Sequence, residues 1–125
     1  MERVKLELEF LIKSSPTILF NYISTPSGLV EWFADDVNVK GKKYTFFWDG
    51  DENTAELVSK TNGKFVKFKW DDSEEGEFFE MEIQKDELTG DIALVVTDYA
   101  DEDEADEISM LWESQVGDLR NALGA

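Results

Sequence analysis

Residues 65–83 read FVKFKWDDSEEGEFFEMEI, and this segment contains two runs in which apolar and charged side chains alternate. The apolar residues of each run share one face: Val66, Phe68 and Trp70 in the first, and Phe79, Met81 and Ile83 in the second. A period of two is typical of a half-buried β-strand. Because a polar loop, residues 71–77, joins the runs, they predict an antiparallel hairpin with one apolar face.

The register of this hairpin can also be predicted. Matching the two apolar faces puts Phe68 opposite Met81 and Val66 opposite Ile83, with Trp70 opposite Phe79. The same register sets Lys67 across from Glu82 and Lys69 across from Glu80, so opposite charges meet on the solvent face. Favourable cross-strand pairs support this register.

Further strands flank the hairpin. Alternation and turn residues predict them at 4–12, 44–48, 54–60 and 92–96, and Asn62-Gly63 is a strong signal for a tight turn. Ser15 followed by Pro16 predicts a helix start, and Pro26 predicts its end. A second short helix is expected from Ser27-Gly28 through Phe33.

The C-terminal segment predicts a long amphipathic helix. One face of it recurs at steps of three and four residues and comprises Ile108, Leu111, Trp112, Gln115, Leu119 and Leu123, of which Gln115 alone is polar. An antiparallel sheet with one apolar face needs a cover, and this helix supplies it. The expected fold class is α+β, a single domain over 1–125. It has a curved antiparallel sheet of about six or seven strands, two short helices after strand 1, and the long helix last.

The net charge of −17 is concentrated in one third of the chain. Residues 1–70 carry ten acidic and ten basic side chains, whereas residues 71–107 carry seventeen acidic side chains and one lysine. Such a field repels phosphate backbones and anionic lipids, so nucleic acid and membrane surfaces are not expected as partners. It attracts basic protein surfaces. A solvated face that keeps the domain soluble is the simpler interpretation.

Composition also restricts the chemistry. The chain has no cysteine and no histidine, which removes thiolate metal sites, a cysteine nucleophile and the commonest general base. Neither a signal peptide nor an apolar run of membrane-spanning length is apparent, so we expect a cytoplasmic protein. No cofactor is expected.

Several segments resemble a known family. SPTILF (15–20), TPSGLVEWF (25–33), YTFFW (44–48) and FVKFKW (65–70) resemble START-like proteins of the SRPBCC superfamily, particularly the branch with the activator of the heat-shock chaperone ATPase. STPSGLVEWFADD (24–36) and VTDYADEDE (96–104) resemble still more closely a bacterial START-like family without assigned function. The resemblance implies a helix-grip fold. It also implies either a sheet–helix cavity that holds apolar ligands in relatives, or a surface that contacts a chaperone.

If that cavity is open, we expect large apolar side chains to line it and bind the ligand. The candidates are Trp32, Phe33, Tyr44, Phe46, Trp48, Phe68, Trp70, Phe79, Met81, Leu94 and Trp112. A sheet packed on a helix needs large side chains in any case. A filled core and a ligand cavity therefore both remain open at this point.

The acidic run that precedes the long helix is the candidate partner surface. It comprises Asp101, Glu102, Asp103 and Glu104, and a basic protein or a chaperone would be its partner. Calcium or magnesium would also suit carboxylate ligands. Since the run has no glycine-centred loop to wrap an ion, we expect no metal site and favour a solvated helix start.

No catalytic residue is predicted. The expected inward faces offer the Tyr44 hydroxyl and indole N–H groups, but no carboxylate, lysine or histidine. The favoured function is therefore a non-enzymatic module that binds a small apolar or amphipathic ligand. A protein-interaction domain is the alternative, and a cyclase-like enzyme is the least favoured class. A carboxylate directed into the cavity would revive the enzyme hypothesis.

Overall fold

The computed structural model describes residues 2–124. In these residues seven strands and three α-helices follow one another as β1 (Arg3–Ile12), α1 (Pro16–Ser24), α2 (Pro26–Leu29), β2 (Asp36–Lys40), β3 (Lys43–Trp48), β4 (Asp51–Thr61), β5 (Phe65–Trp70), β6 (Phe79–Lys85), β7 (Ile92–Asp101) and α3 (Ala105–Leu123). A 3-10 turn, Glu102–Glu104, leads into α3. The predicted α+β class and element order are confirmed.

All neighbouring strands are antiparallel, in the order β1-β7-β6-β5-β4-β3-β2. From β2 to β7 the chain runs as a meander, and β1 lies beside β7, so β1 and β2 form the two edges. Gly63 has a φ of 76° in the turn between β4 and β5, a left-handed conformation that favours glycine. This is the turn that Asn62-Gly63 predicts.

The register of the central hairpin differs from the prediction. Val66 lies opposite Met81 rather than Ile83, and Lys67 lies opposite Glu80 rather than Glu82. The shift is two residues, because the connection extends through Phe78 and leaves Trp70 unpaired with β6. A shift of two keeps every side chain on its predicted face, whereas a shift of one would not. Charge pairing alone did not distinguish two registers that both join lysine to glutamate.

The two short helices begin at polar caps. The Ser15 hydroxyl accepts a hydrogen bond from the Ile18 amide at 3.1 Å, and the Thr25 hydroxyl accepts one from the Gly28 amide at 3.0 Å. The second helix is shorter than predicted, since α2 ends at Leu29 and Trp32 and Phe33 follow in a turn. The indole of Trp32 donates to the Tyr22 carbonyl at 2.9 Å and fixes that turn against α1.

Glycine is required where α2 crosses α1. A Cβ at Gly28 would lie 2.6 Å from Tyr22 Cα and closer still to the Asn21 carbonyl oxygen. Both are backbone atoms of α1 and cannot swing away. The approach of the two helices therefore depends on the missing side chain at this position.

Helix α3 covers the inner face of the sheet. Trp112, Val116 and Leu119 are buried, but Leu111 is 54% exposed, contrary to its predicted place in the packed stripe. Arg120 anchors the C-terminal end of α3, because its guanidinium donates two hydrogen bonds to the Leu11 carbonyl at the end of β1. Among the helices of residues 2–124, none combines the length and the hydropathy that a transmembrane span requires.

Candidate functional site

An open cleft of about 510 Å³ lies between α3 and the sheet, beside the last residues of β3 and β5. Aromatic, apolar and polar side chains from six parts of the chain line it: Phe33, Trp48, Asn53, Trp70, Asp98, Ile108, Leu111, Trp112 and Gln115. We refer to Trp48, Trp70 and Trp112 as the cleft tryptophans. The cleft is therefore largely aromatic, with one carboxylate and two amides.

Ring contacts hold the aromatic walls in place. Trp48 and Trp70 lie 6.1 Å apart between ring centroids, and Trp70 stacks on the buried ring of Phe79 at 4.8 Å. Trp112 packs against Phe33 at 5.7 Å from the other side. Such rings lose little conformational freedom on binding, because their positions are already fixed by packing.

The Phe33 carbonyl joins the helix to the sheet at the cleft. It accepts a hydrogen bond from Trp48 Nε1 at 2.6 Å and a second from Gln115 Nε2 at 3.0 Å. A wider cleft of about 630 Å³ lies on the other side, and Phe33, Trp48, Leu111 and Gln115 border both. This hydrogen-bonded group therefore forms a wall between two neighbouring clefts.

Asp98 brings a carboxylate into the first cleft, which corrects the expectation that no carboxylate faces inward. The side chain is half-buried, and its Oδ2 accepts a hydrogen bond from Trp112 Nε1 at 2.8 Å. Its Oδ1 accepts a second hydrogen bond, from the backbone amide of Tyr99, at 2.8 Å. Burial raises the pKa of Asp98, and these two hydrogen bonds only partly offset that effect.

The sequence contained a signal for Asp98. Ile92, Leu94 and Val96 alternate toward the core, and Asp98 is the next residue of the same parity on β7. The sequence interpretation included it only among the acidic side chains of residues 71–107, which were expected to form a solvated face. Strand parity, continued by one more step, would have placed this carboxylate on the inner face.

The predicted cavity-lining residues divide into three groups. Phe33 and the cleft tryptophans border the first cleft, and Trp32 borders the second. The others lie in the packed core away from both clefts: Tyr44, Phe46, Phe68, Phe79, Met81 and Leu94. The sheet–helix interface is thus filled at one end and open at the other. A ligand contact at any of these residues stays a prediction.

The predicted partner surface lies apart from the cleft. Glu102, Asp103 and Glu104 are exposed in the 3-10 turn, whereas Asp101 is half-buried and pairs with Arg3 at 3.0 Å. Carboxylate oxygens of Asp101, Asp103 and Glu104 approach within 4.8 Å of one another. Arg3 also binds Glu77, and this cation lowers the pKa of both Glu77 and Asp101. One of the three clustered carboxylates is therefore already paired with a cation.

Comparison with known proteins agrees with the sheet and helix just described. The sequence matches the family described as START-like superfamily domain over residues 1–125. The chain belongs to the START-like superfamily. Its fold is therefore compatible with a ligand-binding or interaction module. No curated protein sequence matches the chain.

Solved structures with the same fold differ widely in sequence. BfR322 from Bacteroides fragilis is 41% identical with a TM-score of 0.68, and the match covers 97% of this chain and 91% of that one. The Aha1 dimer from Colwellia psychrerythraea has a TM-score of 0.81 at 18% identity, with 96% of each chain covered. DynU16, a protein of the dynemicin biosynthetic locus, has a TM-score of 0.77 at 16% identity, covering 97% of this chain and 47% of that one. The last two show the fold alone.

Proposed function

We propose that this START-like protein binds a small apolar or amphipathic molecule in the first cleft, without converting it chemically. The observation that carries the proposal is the open, tryptophan-lined space between α3 and the sheet. Ligand sites are typically concave and mainly apolar, with a few polar groups that fix orientation. The 510 Å³ of the cleft lies within the range of about 300–1,000 Å³ found for such sites.

The polar groups of the cleft suit orientation rather than catalysis. Gln115 Nε2 is engaged with the Phe33 carbonyl, and Asn53 is exposed at the edge. Asp98 meets the condition under which the enzyme hypothesis would revive. However, among the described residues that line the cleft it has no second acid–base group and no nucleophile beside it. Acid–base catalysis or covalent catalysis generally needs such partners. Binding is therefore the better supported function.

The test fills the cleft with a side chain. Asn53 points to the cleft from β4, and its neighbour Glu52 is exposed on the same strand without lining the cleft. Asn53→Trp should abolish binding of 1-naphthylmethanol, a neutral aromatic probe, followed through the indole N–H signals in NMR titrations. Glu52→Trp adds the same indole outside the cleft and should leave binding unchanged. Equal binding by wild type and Asn53→Trp would refute the proposal.

The acidic surface supports a second candidate, a protein-interaction domain. Glu102, Asp103 and Glu104 are exposed together, and the neighbouring carboxylate of Asp101 raises the pKa of Glu104. Such crowding favours a positively charged partner. Resemblance to the chaperone-activator branch suggests a chaperone as that partner. The combined variant Glu102→Gln, Asp103→Asn and Glu104→Gln should then bind the chaperone more weakly in a pull-down, while its affinity for 1-naphthylmethanol stays unchanged.

A further inference from the structure

We propose that the natural occupant of the first cleft is a small organic ammonium compound, whose charged nitrogen binds the Asp98 carboxylate while its apolar part contacts the cleft tryptophans. The inference deepens the proposed function and rests on it, because it names the chemical class of the ligand. It follows from the acceptor capacity of Asp98, from the surrounding rings and from the charges nearby.

Asp98 has acceptor capacity to spare. An ionised carboxylate offers about four lone-pair sites, and the two hydrogen bonds from Trp112 and Tyr99 use two of them. Both donors are neutral groups. Within residues 2–124 no lysine or arginine forms an ion pair with Asp98. A half-buried carboxylate without a cation is costly, and an ammonium group that enters the cleft would relieve that cost.

Arg3, whose charge acts on Asp98, is already bound to other carboxylates. Arg3 donates from Nε and one terminal nitrogen to Glu77 and from the other terminal nitrogen to Asp101. These groups lie in a polar cleft of about 480 Å³ that begins on the other side of Asp98. Arg3 lowers the pKa of Asp98 and Glu77 raises it, but both effects are smaller than that of burial. The guanidinium of Arg3 therefore does not neutralise Asp98 in the way that a ligand cation in the first cleft would.

The walls of the cleft suit the same chemistry. Cations are attracted to the faces of aromatic rings, and tryptophan is the strongest of the three aromatic side chains in this respect. Three tryptophans and Phe33 surround the space that Asp98 borders. The other polar residues of the lining, Asn53 and Gln115, are uncharged, so no lysine or arginine of the cleft lining would repel an ammonium group. A net charge of −17 further favours a cation over an anion.

Three matched probes test the inference: 1-naphthylmethylamine, 1-naphthylmethanol and 1-naphthoate, titrated at pH 7 against wild type and Asp98→Asn. The amine should bind wild type at least about ten-fold tighter than the alcohol, because a hydrogen bond between two charged groups raises affinity by about that factor. The naphthoate should bind weakest, because its carboxylate is repelled by Asp98. Asp98→Asn should lower the ratio of amine affinity to alcohol affinity to about one, whatever its effect on the affinity of the alcohol itself. Glu113→Gln removes one exposed carboxylate of α3 outside the cleft and should retain the preference.

The outcomes separate this inference from the proposed function. If the alcohol binds as tightly as the amine and Asn53→Trp abolishes both, the cleft binds ligands but the ammonium assignment is wrong. If no probe binds, both proposals fail. Tighter binding of N-acetyl-lysine methylamide than of 1-naphthylmethylamine would overturn the small-molecule assignment in favour of a peptide side chain. Unchanged near-ultraviolet circular dichroism of Asp98→Asn confirms that a lost preference does not come from misfolding.

Discussion

The two ends of the sheet–helix interface are built from the same strands and yet differ in packing. On β3, Phe46 is 0% exposed, while Trp48, two residues further along, borders the cleft. On β5, Phe68 is 0% exposed and Trp70 borders the cleft in the same way. A single step along the pleat therefore separates a filled core from a candidate binding site. Alternation determines the face of a residue, but the position of α3 determines whether that face is closed.

The largest expected effect is at the closed end. Phe68→Ala should lower the free energy of unfolding by about 3–5 kcal/mol, because it leaves a cavity among buried rings. Trp70→Ala removes a larger side chain from the open end, but solvent can fill the space. It should cost only about 1–2 kcal/mol, mostly through the lost stacking on Phe79. Urea unfolding followed by circular dichroism measures both. An equal cost for the two would show that the open end is packed as tightly as the core.

The contact between α1 and α2 is a second place where close packing can be tested. Gly28→Ala should destabilise the protein by about 1–3 kcal/mol, because the added methyl group meets backbone atoms of α1. Gly117→Ala, in α3, is the matched control: apart from the local helix backbone, no atom of residues 2–124 lies within 4 Å of its Cβ position, so alanine should stabilise the helix by about 0.5–1 kcal/mol. Thermal unfolding of the two variants should move in opposite directions. Stabilisation by Gly28→Ala would contradict the close approach.

The smallest expected effect concerns pH and the open end. Burial raises the pKa of Asp98 above its unfolded value, so the native state binds this proton more tightly than the unfolded state does. The stability of wild type relative to Asp98→Asn should therefore increase as pH falls through the raised pKa toward the unfolded value, by about 1 kcal/mol or less.

Comparison with the variant isolates Asp98 from its neighbours. Glu77 and Asp101 have lowered pKa values, and their contribution to stability is lost as pH falls, in wild type and variant alike. Urea titrations at several pH values between 7 and 4 give the difference. A difference that does not change with pH would show that Asp98 is solvated.

Much of the fold could be predicted from the sequence, because periodicity reports which side of an element is buried. Six of the seven strands in residues 2–124, the Ser15 cap and the long helix follow from local pattern, whereas no pattern located β2. The hairpin register could not be predicted in this way. The length of the loop before Phe79 shifts the pairing by two residues, and such a shift leaves every side chain on the same face of the sheet. The exposure of Leu111 was also missed, because it depends on the position of α3 above the two open clefts that this residue borders. That position is set by tertiary packing.

The candidate site was only partly predictable for a similar reason. Aromatic residues of the inner face were identified, but periodicity does not separate Phe46 from Trp48, which have the same parity. Strand alternation could have predicted that Asp98 faces inward. It was missed because its acidic neighbours suggested a uniformly solvated segment. A charged residue that continues an apolar alternation is therefore more informative than the charged run it precedes.

The wall between the two clefts has a consequence for how they would respond to occupancy. Trp48 and Gln115 share a single acceptor, the Phe33 carbonyl, and each of them borders both spaces. A molecule that displaces the Gln115 amide from one side also alters a surface of the other. If a ligand in one cleft changes the binding free energy of a ligand in the other, thermodynamic reciprocity requires the second ligand to change the binding free energy of the first by the same amount.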